Sequence, residues 1–137
     1  MALNANHADD VIGKMFASLA QGEMDIFRAC FEPDAVIWHN FDDVEQDLDA
    51  TIVGLRHFCS LTVTRGYEAQ RISRVGDEAF SQHVLTATLP SGGEMRLPVL
   101  MRIAIGASGL ISRVDEYFDS RGADCLQAER PAAVSTS

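Results

Sequence analysis

A chain of 137 residues fits one domain, and at that size about two thirds of the unfolded surface is buried on folding, enough for a core without staples. Hydrophobic residues make up 47% and charged residues 23%, which excludes wholesale disorder, and no apolar run approaches the length needed to span a bilayer. The formal net charge of -9, with few and scattered Arg residues, repels phosphate backbones, so neither nucleic acid nor a membrane is expected as a partner.

Met1 to His7 lacks a basic segment followed by an apolar core, so no secretory signal is read there and the cytoplasm is the expected compartment. From Ala8 to Ala20, Val11, Ile12, Met15, Phe16 and Leu19 recur at helical spacing, with Asp9 and Asp10 at the end where the helix dipole favours negative charge. Gln21-Gly22 breaks that helix, and Met24, Phe27, Cys30 and Phe31 form a shorter stripe ending before Pro33. Ala35 to Asn40 suits a strand, whereas Phe41 to Asp47 is too acidic and irregular to continue the sheet and reads as a loop. A third helix is predicted from Leu48 to Thr62, with Ile52, Leu55 and Cys59 on one side.

After Gly66 the pattern changes to strands separated by turn signals: Tyr67 to Val75, Glu78 to Leu89, Met95 to Ile105 and Leu110 to Phe118. Four strands joined by short turns make an antiparallel meander, and helices gathered at one end of the chain imply an α+β arrangement. From Arg121 to Ser137 small and polar residues without periodicity predict a mobile tail. Cys30, Cys59 and Cys125 are odd in number and widely spaced, so they read as reduced thiols rather than a disulfide framework or zinc site.

The order helix, helix, strand, helix, meander resembles the SnoaL-like branch of the nuclear transport factor two superfamily. Phe31-Glu32-Pro33-Asp34-Ala35-Val36 leading into Trp38-His39-Asn40, and a final Ile111...Glu116-Tyr117-Phe118-Asp119, carry the resemblance, which spans about Ala8 to Ser120 within a single domain. It implies a cone: three N-terminal helices packed in the concave face of a curved mixed, mainly antiparallel sheet. Members include ketosteroid isomerase, limonene epoxide hydrolase, scytalone dehydratase and polyketide cyclases. Trp38-x-Asn40 is similar to the Tyr-x-Asn pair that holds the attacking water in limonene epoxide hydrolase, and Glu116 falls where that enzyme has an Asp. The hydrolase's Arg-x-Asp is missing, since the comparable segment reads Ser81-Gln82-His83. Against ketosteroid isomerase, His39 aligns with the general-base Asp, with no Tyr in helix one to complete its oxyanion hole. Polyketide cyclases pair an acid on the last strand with a His on a neighbouring strand, which Glu116 or Asp115 with His83 would mimic.

A carboxylate enclosed by hydrocarbon loses hydration and becomes a usable proton acceptor, and Glu116 is the first candidate. Alternation puts Val114, Glu116 and Phe118 on one face and Arg113, Asp115 and Tyr117 on the other, and the face with two apolar neighbours is assigned to the pocket. The competing reading ties Glu116 to an Arg such as Arg102. His83 stands in phase with Ser81, Leu85, Ala87 and Leu89, where it serves as a proton partner or is simply hydrogen-bonded in the core. His39 is the other catalytic candidate, and which of Trp38, His39 and Asn40 point inward is left open. Trp38 and Asn40 are assigned to ligand positioning, and Phe58, Leu85, Val114 and Phe118 to the walls; Trp38 serves equally as a core anchor. The acids Asp43, Glu45, Asp47 and Asp49 lack the glycine turn and terminal Glu of a calcium loop, so no metal is expected, and no phosphate loop or nucleophile motif implies a cofactor.

The resulting expectation is a cofactor-independent acid/base enzyme of isomerase, cyclase, dehydratase or hydrolase type, acting on a small, mostly apolar molecule. The alternative is a non-catalytic binding domain for a hydrophobic metabolite, and a third reading is an interaction module that dimerises through the outer sheet face, since the resemblance implies relatives that pair that way; a homodimer is expected. Substrate identity is not readable from pattern.

Overall fold

Period-two burial builds the sheet. In the computed structural model, which describes residues 10–130, Ala79, Ser81, His83, Leu85 and Ala87 of one strand and Met95, Leu97, Val99, Met101 and Ile103 of the next are all buried, while Gln82, Arg96 and Leu100 between them are exposed. These strands are β4 (Glu78–Thr88) and β5 (Glu94–Ile105), and with β1 (Phe31–His39), β2 (Val44–Asp47), β3 (Thr64–Val75) and β6 (Ile111–Tyr117) they form one sheet in the order β2-β1-β6-β5-β4-β3. Only β1 and β6 run parallel. The sheet is curved and unclosed, and a register shift between Glu68 and Arg71, with Ala69 at φ 53°, is a bulge that bends β3.

Three helices fill the concave side. In α1 (Val11–Gln21) Ile12, Met15 and Phe16 share one face and are buried; Asp10 caps its start by accepting from Ile12 N at 3.1 Å, and Gly22 ends it at φ 73°. The expected start at Ala8 and Asp9 lies outside the described residues. The short α2 (Met24–Ala29) buries Met24 and Phe27, and α3 (Leu48–Ser60) buries Leu48, Thr51 and Ile52 beneath an Asp47 cap that accepts from Ala50 N at 2.8 Å. The α+β cone expected from the sequence is the fold observed.

Three local expectations need correction. The first strand begins at Phe31 rather than Ala35, because a register irregularity between Phe31 and Val36 absorbs Pro33 while Phe31 still pairs with Ile111. Val44–Asp47 is a strand and not a loop: it pairs with Val36–His39 at the sheet edge, where every side chain is exposed or half-buried and acidic residues are tolerated. Ser120–Ala128 is a 3-10 helix, where the sequence pattern predicts a mobile tail from Arg121. Ala123 and Leu126, three apart and so on one side of a 3-10 helix, both pack against the core. The expected tail from Pro131 onward lies outside the described residues.

Candidate active site

The parallel register of β1 and β6 sets Ile37 beside Val114, Trp38 beside Asp115 and His39 beside Glu116. Alternation then turns Ile37, His39, Val114 and Glu116 to the concave side, where all four line a cavity of about 280 Å³. Most of the remaining wall is hydrocarbon, including Phe16, Phe27, Phe58, Leu85, Leu97 and Phe118. Within it His39 Nε2 lies 3.1 Å from Glu116 Oε1, each side chain keeping 18% exposure. Hydrogen bonding to the Glu116 carboxylate raises the His39 pKa above its ordinary value; burial pulls the other way and is outweighed, with the charges of Glu116 and Asp42 adding to the rise.

The neighbouring acid has a different job. Asp115 faces outward, its Oδ2 3.0 Å from Arg102 Nη1 and its Oδ1 2.8 Å from Arg113 Nε. Arg102 also pairs with Glu78, and Arg113 Nη1 lies 2.9 Å from Glu45 Oε2. The Arg102 tie considered for Glu116 therefore belongs to Asp115.

Of the residues singled out in the sequence, Glu116, His39, Phe58, Leu85, Val114 and Phe118 line the one cavity. Trp38 does not: its ring packs edge-on against Tyr117 at 5.2 Å on the outer face, and its Nε1 donates to Asp43 Oδ1 at 2.8 Å. Asn40 does not line it either, but its Oδ1 accepts from Phe118 N at 3.0 Å and so fixes the chain that carries one wall. His83 is on the concave side and 3% exposed, yet it is absent from the lining; its Nδ1 is 2.8 Å from Ser81 Oγ, and burial lowers its pKa against the opposing field of Glu116.

Sequence reasoning missed Tyr67, which lines the cavity from β3 opposite Leu85. Its phase is hidden in the sequence, because the bulge at Ala69 breaks the alternation that would mark it as inward. Ala123 and Leu126, which also line the cavity, fall in the segment whose composition mimics a tail. The four acids that lack a calcium-loop pattern are dispersed: Asp43 holds Trp38, Glu45 holds Arg113, Asp47 caps α3, and Asp49 lies 2.8 Å from Arg28.

The same cone recurs in solved structures at low sequence identity. IdmH of Streptomyces antibioticus, a proposed polyketide cyclase, superposes with a TM-score of 0.71 at 17% identity, covering 89% of this chain and 99% of that one. An epoxide hydrolase of M. tuberculosis resembling limonene epoxide hydrolase gives 0.68 at 15% identity, with 85% of each chain covered. A proposed SnoaL-like polyketide cyclase of Shewanella denitrificans gives 0.73 at 8% identity, over 87% of this chain and 95% of that one. At such identities these structures establish the fold alone. The SnoaL-like domain model matches residues 12–114, and the chain belongs to that family. No curated protein matches the sequence. No helix among the described residues is long and apolar enough to cross a membrane.

Proposed function

We propose that the protein is a cofactor-independent acid/base enzyme acting on a small, mostly apolar molecule held in the cone, with Glu116 as proton acceptor and His39 as its partner acid. The observation behind this reading is the lone His39–Glu116 pair in a wall of hydrocarbon. A buried ion pair is at best weakly stabilising compared with packed hydrocarbon, so a fold gains little from placing one there. For proton transfer the arrangement suits both partners. Glu116 uses one oxygen on His39, leaving the other to take a proton from substrate carbon or from water, while the more readily protonated His39 gives one to a developing oxygen anion. His83, one of the two partner acids read from the sequence, is the weaker choice, because it does not line the cavity and burial disfavours its protonation.

The test does not depend on the identity of the natural substrate. Wild type is incubated in deuterated water with a panel of small cyclic ketones, and proton exchange beside the carbonyl is followed by NMR. Glu116→Gln should abolish exchange while sparing ligand affinity; exchange that persists unchanged removes Glu116 as base. Ligands that bind wild type without any exchange or turnover favour the non-catalytic reading, a carrier for a hydrophobic metabolite. The exposed Tyr117 and Leu100 on the outer sheet face support pairing of two copies there. Sedimentation showing only monomer at high concentration would count against it.

A further inference from the structure

Besides the acid/base pair the lining holds three polar side chains, Gln46, Thr51 and Tyr67; Thr51 Oγ1 is engaged by Asp47 O at 2.9 Å and by Gln46 Oε1 at 3.3 Å, whereas the Tyr67 hydroxyl has no such tie among the described residues. We infer that the Tyr67 hydroxyl is a ligand-recognition donor, selecting flat apolar molecules that carry one uncharged acceptor oxygen, such as a cyclic ketone, over hydrocarbons of the same shape. This rests on reading the cone as a binding cavity, but not on its being catalytic.

The geometry of Tyr67 supports the assignment. Its ring is held by edge-on contacts with Phe16, at 5.0 Å and 79°, and with His83, at 5.2 Å and 89°, so it is fixed from two sides. Among the described residues its hydroxyl has no hydrogen-bond partner, although the residue lines the cavity beside Leu85. A phenol set in apolar surroundings without a partner is unfavourable and is expected to find one in a ligand or water. Burial, foremost, and the charges of Glu116 and Cys59 push its pKa up against the pull of Arg65, so it remains a donor at all physiological pH values.

His83 fixes the character of that corner. Gln70 Nε2 donates to Ser81 Oγ at 3.2 Å, and Ser81 Oγ in turn shares a 2.8 Å hydrogen bond with His83 Nδ1, which ties the imidazole in place. Burial disfavours protonation of that imidazole, so the ring against Tyr67 is uncharged. The cavity lining contains no Lys or Arg, and its only cationic candidate, His39, is engaged by Glu116. An anionic ligand would therefore meet the Glu116 charge with no free counterion, whereas a neutral carbonyl needs only the phenol donor.

The probes are 1-tetralone and tetralin, which share a ring skeleton and differ in the carbonyl oxygen. In titrations followed by calorimetry or ligand NMR, Tyr67→Phe should weaken tetralone roughly three- to tenfold, the loss of one neutral hydrogen bond, and leave tetralin unchanged or tighter. Its Tm should equal or exceed that of wild type, since the deleted hydroxyl has no protein partner. Equal effects on both ligands, no effect on tetralone, or a Tm drop of several degrees would overturn the assignment to Tyr67. If wild type binds neither probe, the binding reading of the cone falls with it. Loss or persistence of deuterium exchange in Glu116→Gln leaves this result untouched, because the probes report affinity alone.

Discussion

Replacing the two halves of the His39–Glu116 pair singly and together should give an asymmetric stability pattern. In His39→Leu the Glu116 carboxylate keeps its place in the hydrocarbon wall and loses its partner, a change that costs about 3–5 kcal/mol when fully buried. With 18% of each side chain still exposed, the lower end applies, about 3 kcal/mol, or roughly 12 °C in Tm at about 4 °C per kcal/mol for a chain of this size. Glu116→Met leaves only an imidazole, which sheds its proton and costs the smaller penalty of an unpaired neutral group, about 1–2 kcal/mol. The double variant restores a continuous apolar wall and should match or exceed wild type, by up to about 4 kcal/mol. Urea and thermal denaturation at neutral pH measure all four proteins. A double variant less stable than both singles would refute the argument that the pair serves chemistry rather than folding.

The same contact predicts a pH signature. Because it raises the folded His39 pKa above the unfolded value of about 6.5, its stabilisation is full below that value and is lost as pH rises through the folded pKa. The stability gap between wild type and Glu116→Gln should therefore be wider near pH 6 than near pH 8, and the His39 NMR titration should move to lower pH in the variant; an unmoved titration contradicts the pairing. At the 3-10 helix, a Cβ on Gly122 would stand 2.6 Å from Leu97 Cδ1, so in Gly122→Ala the Leu97 side chain, which lines the cavity, must shift. A loss of about 1–3 kcal/mol with weakened ligand binding is expected, and calorimetry that finds both unchanged would show that the helix does not bear on the wall. Asn40→Ala removes the bond to Phe118 N and should cost about 1 kcal/mol, read by denaturation, although Asn40 does not line the cavity.

Regular alternation and helical spacing made most of the cone legible. Each strand of the meander lay in the sequence to within a few residues, because Met95 to Ile103 and Ala79 to Ala87 alternate without a break. Glu116 was legible for the same reason: its strand has one apolar face, and Val114 and Phe118 flank it in phase. What remained hidden depended on contacts distant in sequence. Whether Trp38 or His39 turns inward is decided by pairing with a strand more than seventy residues away, and nothing local in Trp38-His39-Asn40 encodes it. The edge strand Val44–Asp47 was lost because acidic residues on an exposed edge mimic a loop, and Tyr67 because a bulge reset its phase.

The outer charges bear on the site despite facing away from it. A one-residue slip of β6 would carry Asp115 into the cone and Glu116 out of it, removing the carboxylate from His39. Asp115 opposes that slip through three strands: it grips Arg102 on β5 and Arg113 on its own strand, and these in turn reach Glu78 on β4 and Glu45 on β2. Surface ion pairs of this kind add little to overall stability, about 0–1 kcal/mol each. Their leverage lies in register, because the Arg102–Asp115 and Arg113–Glu45 pairs are lost together if the strand moves, and Asp115 is then carried into the cone away from Arg102. Two adjacent acids that differ by one methylene are thus assigned opposite roles by the pleat, one holding the strand in place and the other free to meet the imidazole.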